Sequence, residues 1–259
     1  AEQVFALVEA ARKIGFKSLN VDLIYGLPKQ NPQSFARTLE QVGELRPDRI
    51  ALYGYAHLPE RFKSQRRIVR PDLPTAGDKL EMLSAAIDSF IDAGYVYVGM
   101  DHFALPDDAL AIAKRQGRLH RNFQGYSTQP DCDLIALGVS AIGRIGGTYS
   151  QNAKTLDEYY DLIDQGLLPI VRGLALSKDD LIRRAVIMAI MCQGELLFES
   201  INNAWLIDCK QYFAAEFELL RGQQEEGLVE VLDDCIRVTS KGWFFVRGVA
   251  LVFDRYLQA

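Results

Sequence analysis

The chain has 259 residues, of which 49% are hydrophobic and 24% are charged, and its formal net charge is −5. This size and composition allow one large domain, or one domain with a smaller companion, and predict a globular protein. The net negative charge disfavours a general binder of nucleic acid or anionic membranes, since phosphate binding needs concentrated positive charge. The sequence has neither a secretory signal layout nor about 20 consecutive apolar residues, so we expect a cytoplasmic protein with no membrane partner.

The first part of the chain alternates predicted helices and strands. Apolar residues at helical spacing over 4–14 lead to Gly15, a typical helix end, and an apolar run at 18–24 predicts a buried strand. Asn31 followed by Pro32 favours the start of a helix that continues to about Leu45.

The same alternation then repeats. Residues 49–56 predict a strand, and Thr75 with Asp78 predicts a capped helix that Gly94 ends. A strand at 93–103, a helix at 107–116 and a polar loop at 117–133 follow. Such alternating α and β units are expected to pack around a parallel sheet.

The alternation begins with a helix whose preceding strand is missing. We therefore predict that residues 1–168 form the latter part of a larger α/β barrel. An open edge in such a barrel favours pairing with another copy of the chain or with the missing half.

Residues 169–259 are predicted to form a separate, mostly helical C-terminal domain. Helices at 178–192, 208–222 and 241–257, with a β-pair at 228–240, resemble a winged-helix arrangement. From Lys178 onward the net charge is −4, which favours a structural or lid-like module over a nucleic-acid binder.

The four cysteines do not have the spacing of a metal site. Cys132, Cys192, Cys209 and Cys235 form neither CxxC nor CxxxCxxC, and we expect mainly buried free thiols and no metal ligands.

Several polar residues fall near predicted strand ends, where α/β barrels collect functional groups. Asp22 lies within an apolar strand, where burial of a carboxylate is costly; it either caps or pairs within the protein or binds a ligand. His57, His102 and His120 are either structural or able to transfer protons near neutral pH.

The segment at 60–70 is basic although the chain as a whole is acidic. Arg61, Arg66 and Arg67, with Lys63 and Arg70, form either a solvated surface or a clamp for a substrate with several carboxylates.

The segment at 120–147 combines small residues with an amide and two rings, Gln124, Phe123 and Tyr126. Its glycines match neither GxGxxG nor a phosphate-binding loop. A pocket for an adenosine or methionine moiety suits this composition better than a nucleotide phosphate site.

Several strings together carry a family resemblance: NVDLIYGLPKQ at 20–30, YAHLP at 55–59, GMDHFALPDD at 99–108, HRNFQGYSTQ at 120–129 and VTSKGWFFVRG at 238–248. They resemble the oxygen-independent coproporphyrinogen III oxidase family of haem biosynthesis, which is a radical S-adenosylmethionine family. The resemblance implies the latter part of a partial (β/α)6 barrel followed by the C-terminal domain. The family's cluster-binding CxxxCxxC is absent, so the chain is identified as a C-terminal portion.

The resemblance also implies cofactors and site residues. It implies S-adenosylmethionine, with Asp22 and Ala56 at positions that contact a second molecule of it and Ile142 at a position that packs on the first. Phe123 and Gln124 match the motif that borders the pocket. A [4Fe–4S] cluster and an electron donor belong to the full-length enzyme, and the cluster ligands are not in this chain.

The implied reaction begins with a 5′-deoxyadenosyl radical that removes hydrogen from a propionate of coproporphyrinogen III. Loss of CO2 and an electron leaves a vinyl group, and two such steps give protoporphyrinogen IX. Under this hypothesis Arg61, Arg66 and Arg67 bind propionates, and the chain alone lacks radical activity. A haem-chaperone relative and a winged-helix regulator are the alternatives.

Overall fold

The computed structural model describes residues 2–129 and 132–256, and the chain divides into two compact units. One unit ends at Gly117 and the other begins at Arg118. This division by contacts falls earlier than position 168, and the assignment of 1–168 and 169–259 to separate domains stays a prediction.

The N-terminal unit alternates helices and strands, as the sequence predicts. Asn31 and Thr75 cap their helices through capping boxes, which confirms both predicted starts. Its α-helices are α1 (Glu2–Ile14), α2 (Pro32–Leu45), α3 (Ala76–Asp92) and α4 (Ala109–Arg115). Its strands are β1 (Asn20–Tyr25), β2 (Arg49–Gly54), β3 (Val96–Gly99) and β4 (His102–Ala104).

These strands form one sheet in the order β1-β2-β4-β3, which is only partly parallel. β1 and β2 pair in parallel, whereas β4 is antiparallel to both β2 and β3. The expectation of a wholly parallel sheet with one strand over 93–103 is therefore wrong. Met100 and Asp101 have φ values of 41° and 67°, and this left-handed turn folds the segment into a hairpin.

The sheet is covered by helices on one face. Leu23, Ile50, Leu52 and Phe103 point to this face and pack with residues of α2 and α3 into the buried core of the unit. Since side chains alternate along a strand, the neighbouring residues point to the opposite face. That second face includes exposed residues of β1 and β2 and is the surface on which the candidate site lies.

A buried carboxylate fastens α4 to β2. Asp108 accepts a bifurcated hydrogen bond from Nε of Arg49, which lies 2.9 Å from each carboxylate oxygen. It also accepts one hydrogen bond from the Ser18 hydroxyl and one from the amide of Leu110 at the start of α4. The carboxylate is thus satisfied by a charged partner and by the helix end together.

The C-terminal unit contains a hairpin, two small antiparallel sheets and a group of helices. The hairpin, β5 (His120–Asn122) and β6 (Gly125–Ser127), lies where the sequence predicts a loop. A sheet of β7 (Ile142–Ile145), β8 (Thr148–Asn152) and β9 (Ile170–Ala175) follows, with α5 (Leu156–Asp164) between its last two strands.

The remainder of this unit has the element order helix, strand, helices, two strands, helix. A three-stranded antiparallel sheet has the order β10-β12-β11, that is Glu195–Leu197, Cys235–Val238 and Val229–Val231, and its last two strands confirm the predicted β-pair. The helices are α6 (Lys178–Gln193), α7 (Phe198–Trp205), α8 (Cys209–Tyr212), α9 (Ala214–Glu225) and α10 (Val246–Leu251). The strands are β10 (Glu195–Leu197), β11 (Val229–Val231) and β12 (Cys235–Val238).

Two predicted helices of this unit differ from the structure. The helix expected over 208–222 is interrupted at Phe213, whose backbone leaves helical geometry while its ring is fully buried against Phe253, at 5.3 Å between centroids. The helix expected over 241–257 is shorter, because a 3-10 turn precedes α10. In the described part of the chain, no helix has the length and apolar character needed to cross a membrane.

The Asp108 network predicts a stability effect. Asp108→Ala should lower the free energy of unfolding by about 2–3 kcal/mol, because it leaves the partly buried Arg49 guanidinium and the first turn of α4 without an acceptor. Urea denaturation measures the change, and Asp107→Ala at the exposed neighbouring position is the control. Equal midpoints for the two variants would contradict this assignment.

Candidate functional site

On the open face of the N-terminal sheet, three residues lie side by side across the neighbouring strands β1, β2 and β4. Asp22 lies opposite Ala51 on β2, and Ala51 lies opposite His102 on β4. Directly paired residues point to the same face of a sheet. Tyr53 follows on this face, with its ring 6.0 Å from the His102 ring in an edge-to-face arrangement. The face therefore presents a carboxylate, a phenol and an imidazole around a small residue.

Asp22 is exposed, so the expectation that its strand buries the carboxylate is wrong. The side chain of Asn20 donates a 2.7 Å hydrogen bond to Oδ1 of Asp22. This contact orients the carboxylate along the open face without neutralising its charge. The carboxylate is thus placed to accept hydrogen bonds from an amine or hydroxyl of a ligand.

His102 is fixed by the backbone of the hairpin turn. Its Nδ1 lies 2.7 Å from the carbonyl oxygen of Met100, so Nδ1 carries the proton in the neutral ring. Nε2 is then the acceptor nitrogen. His102 begins β4 and does not follow a strand as predicted, because the hairpin splits the expected strand in two.

The loop after β2 is held together by Gln65. Its side-chain amide donates to the carbonyl of Ala56 at 3.1 Å, and its oxygen accepts from the amide of Leu58 at 2.6 Å. Ala56 is exposed and lines a shallow pocket of about 380 Å³ beside Tyr25. In the described part of the chain, Nδ1 of His57 is buried and has no hydrogen-bond partner.

The predicted arginine clamp divides into residues with different contacts. Arg66 donates to the carbonyl oxygens of Pro59 at 2.9 Å and Glu60 at 3.4 Å, and so it stabilises its own loop. Arg61 stacks over the ring of Phe62 at 5.6 Å, and Arg67 is exposed. Arg61 and Arg67 therefore keep their guanidinium groups at the surface, whereas Arg66 has a structural role.

In the C-terminal unit, Phe123 and Gln124 form the two-residue turn between β5 and β6. The amide of Gln124 donates to the side chain of Asn122 at 2.9 Å, and the ring of Phe123 is 53% exposed. Tyr126 on β6 donates from its hydroxyl to the carbonyl of Met191 on α6, at 2.8 Å. The hairpin is thus anchored to α6 while its tip presents an apolar ring.

The same unit contains a cavity of about 710 Å³, and the segment at 120–147, for which the sequence predicts a pocket, contributes part of its lining. Ile142 and Phe123 line it, so two of the three predicted site residues of this unit lie on one cavity; Gln124 does not line it. The walls combine apolar side chains, among them residues of β7, β9 and α6, with five arginines and other polar residues. The arginines that line the cavity are a sequence signal for the rest of its wall, but they lie far apart in the chain and form no motif.

Two aspartates at the start of α6 bind the last described residues of the chain, and one of them, Asp180, also lines this cavity. Asp179 accepts from Arg183, Arg255 and Tyr212, and Asp180 accepts from Ser177 and Tyr256. Burial raises the pKa of the Asp180 carboxyl, but the hydrogen bonds from Ser177 and Tyr256 outweigh it, and the pKa lies below its ordinary value of 3.8.

The cysteines are free thiols, as predicted. Cys192, Cys209 and Cys235 are buried and Cys132 is exposed. Burial raises the pKa of Cys192 to about 12 and that of Cys209 to about 11, so both stay protonated and unreactive near neutral pH. Within residues 2–129 and 132–256, no group of three His, Cys, Asp or Glu side chains is placed to hold a metal ion.

Comparisons with known proteins identify close relatives. The chain is 50% identical to the oxygen-independent coproporphyrinogen III oxidase of Salmonella typhimurium over 99% of its length, and 51% identical to that of Pseudomonas aeruginosa over 100%. It covers 56% of the length of each. It is 42% identical to the protein of the same name from Thermostichus vulcanus, of which it covers 78%.

A solved structure and a family profile agree with these relatives. Escherichia coli coproporphyrinogen III oxidase (HemN), described as a radical SAM enzyme, matches with a TM-score of 0.96 and 49% identity, over 98% of this chain and 59% of that chain. Residues 176–245 match the HemN C-terminal domain.

The aspartates of α6 predict acid sensitivity. A carboxyl whose pKa is lower in the folded than in the unfolded state stabilises the protein at any pH above its pKa in the unfolded state. This contribution is lost as the pH falls through the pKa of the folded state. The stability of the C-terminal unit should therefore fall below about pH 4, the region of the ordinary Asp value. In Asp180→Asn this loss should be smaller, as measured by thermal unfolding between pH 2.5 and pH 6. An acid limb identical to that of the unmodified protein would contradict the role of Asp180.

Proposed function

Because the chain belongs to the oxygen-independent coproporphyrinogen III oxidase family, we propose that it forms part of an enzyme that converts two propionates of coproporphyrinogen III into vinyl groups. The proposal rests mainly on about 50% identity over the whole chain to proteins of that name. The chain spans about 56% of the length of these relatives, so the activity of the whole protein is inferred. Anaerobic turnover of coproporphyrinogen III by the full-length natural protein tests it.

We interpret the two units in terms of the family fold. The parallel β1–β2 pair with α2 and α3 on one face supports its assignment as part of a (β/α)6 barrel, with the open face toward the interior. The element order from α6 to β12, with sheet order β10-β12-β11, supports a winged-helix-like C-terminal domain.

Each unit offers contacts that suit S-adenosylmethionine. In the N-terminal unit the exposed carboxylate of Asp22 suits a hydroxyl or ammonium donor, and Ala56 is the other proposed contact. In the C-terminal unit the ring of Phe123 suits an adenine face, Ile142 offers an apolar wall, and Gln124 is a further proposed contact. When bound, S-adenosylmethionine supplies the carbon-centred radical that removes hydrogen from a propionate.

The described residues do not fit an iron–sulfur cluster. They hold no set of three side chains placed to bind a metal. Three of the cysteines are buried, which keeps their thiols protonated, and the four cysteines lie far apart in the sequence. The [4Fe–4S] cluster and the contact with an electron donor are therefore assigned to other residues of the full-length enzyme.

The chain's own contribution is binding and orientation of the substrate. After a hydrogen atom is removed from the β-carbon, loss of CO2 and of one electron leaves the vinyl group, so the reacting propionate must be held in place while the others remain bound. Arg61 and Arg67 offer surface guanidinium groups for such carboxylates, and Arg66 supports their loop.

Two further statements belong to the proposal. Free cysteines without disulfides are typical of a reducing compartment, which supports a cytoplasmic setting. In the described residues β1 pairs on one side only, so its other edge is available to a further strand or to a second copy of the chain.

The alternative functions have less support. Within the described residues no feature of the fold favours haem transport, and the relatives named above are all called oxidases. A winged-helix regulator of DNA is disfavoured because the chain from Lys178 onward carries nine cationic and thirteen anionic side chains.

Asp22→Asn should weaken binding of S-adenosylmethionine about tenfold, because it replaces a charged acceptor by a neutral amide on the open face. Equilibrium dialysis of the full-length protein measures the change. Asp88→Asn, an exposed carboxylate on α3, is the control. Equal affinity of both variants for S-adenosylmethionine would remove Asp22 from the site.

The double variant Arg61→Glu/Arg67→Glu should raise the KM for coproporphyrinogen III by roughly three- to tenfold, since exposed charge pairs contribute modestly and are screened by salt. Arg37→Glu on α2 controls for charge reversal. Arg66→Glu should instead lower thermal stability of the loop through loss of its carbonyl contacts. An unchanged KM in the double variant would contradict the clamp.

A further inference from the structure

We propose that Asn20 is a positioning residue for S-adenosylmethionine, and that it acts by holding the carboxylate of Asp22 in one orientation on the open face of the N-terminal sheet. The inference rests on the proposed function, because it needs Asp22 as a ligand contact. It adds to the site a residue that acts through Asp22, and it concerns the N-terminal unit only.

Asn20 and Asp22 share one face of β1. Side chains alternate along a strand, so residues two positions apart project side by side, roughly 7 Å from each other along the strand. The side-chain amide of Asn20 spans this gap and donates a 2.7 Å hydrogen bond to Oδ1 of Asp22. Both residues are exposed. The pair therefore stands on the open face, away from the buried core behind the sheet.

The Asp22 carboxylate depends on this contact for its orientation. The last torsion of an aspartate side chain has a broad, roughly two-fold distribution, so an unsupported carboxylate samples several orientations. Across the strand pair, Asp22 lies opposite Ala51, whose methyl group makes no hydrogen bond. Within residues 2–129 and 132–256, Asn20 is the one hydrogen-bond partner of this carboxylate. Asn20 thus selects the orientation in which a ligand meets Oδ2.

The contact also leaves the negative charge of Asp22 in place. Arg49 lies directly opposite Asn20 on β2, but its guanidinium binds Asp108, with Nε 2.9 Å from each carboxylate oxygen. In the part of the chain that the structure describes, Asp22 has no ion-pair partner. An amide donor carries no charge, so it orients the carboxylate without reducing its attraction for a cation. The sulfonium and the ammonium of S-adenosylmethionine are cations of this kind.

A double-mutant cycle tests the inference, with equilibrium dialysis of S-adenosylmethionine against the full-length natural protein. Asn20→Leu keeps the size of the side chain and removes the donor, and it should weaken binding about fivefold, the size expected for one hydrogen bond. In the Asp22→Ala background the same substitution should change the affinity less than about twofold, because the group that it orients is gone. A residue with only a structural role would give the same loss in both backgrounds.

Three further measurements accompany the cycle. Gln41→Leu removes an exposed amide from α2, which packs on the opposite face of the sheet, and should leave the affinity unchanged. The thermal midpoint of Asn20→Leu should match that of the unmodified protein, because the replaced side chain is exposed at the first residue of β1. Asn20→Ala removes the donor with a smaller side chain and should reproduce the loss, which gives the same comparison if the leucine variant cannot be purified.

The outcomes separate this inference from the proposed function. If Asp22→Ala weakens binding of S-adenosylmethionine but Asn20→Leu does not, or if Asn20→Leu loses as much in both backgrounds, the positioning role is overturned while the enzymatic proposal stands. If Asp22→Ala binds as the unmodified protein does, the positioning role and the Asp22 contact both fail. If the unmodified full-length protein neither binds S-adenosylmethionine nor consumes coproporphyrinogen III, the proposed function fails and this inference fails with it.

Discussion

The N-terminal unit depends on the fact that helices cover only one face of its sheet. Leu23, Ile50, Leu52 and Phe103 bury one side of β1, β2 and β4 against α2 and α3. Because side chains alternate along each strand, burial of this set forces Asp22 and its row neighbours onto the opposite face. A shift of register by one residue would bury the carboxylate and expose the core. The position of the candidate site is therefore a consequence of packing on the other side of the sheet.

Sequence patterns predicted the elements whose signals are local. Asn31 and Thr75 begin helices because their side chains accept the first free amides, and both signals lie within four residues. The hairpin at 96–104 was missed because it depends on left-handed backbone at Met100 and Asp101, which their residue types do not indicate. The break at Phe213 was missed for a different reason: it comes from tertiary burial against Phe253, which no helical periodicity contains.

The same distinction applies to site residues. Asp22 was identified as a candidate from its place in an apolar strand, but its exposure could not be read from a pattern that looks the same for a buried strand. Charge alone groups Arg66 with Arg61 and Arg67, whereas in the structure Arg66 donates hydrogen bonds to the carbonyl oxygens of Pro59 and Glu60. The segment at 120–147 predicts a pocket, but its other walls come from α6 and from residues up to Tyr256, and such long-range proximity leaves no sequence signal.

The contacts of each arginine give a physical criterion for recognising cations that hold the fold together. A guanidinium has five N–H donors, and at Arg183 the protein supplies two carboxylates and a backbone carbonyl as acceptors. Such a residue is held by the fold, and its charge is already balanced. At Arg121 the ring of Tyr126 supports the cation but accepts no conventional hydrogen bond, so a buried donor remains. A buried donor without an acceptor destabilises the folded protein, so it marks a cation whose surroundings satisfy it incompletely. The partners of each arginine, more than the number of arginines in a segment, therefore show which cations hold the fold together.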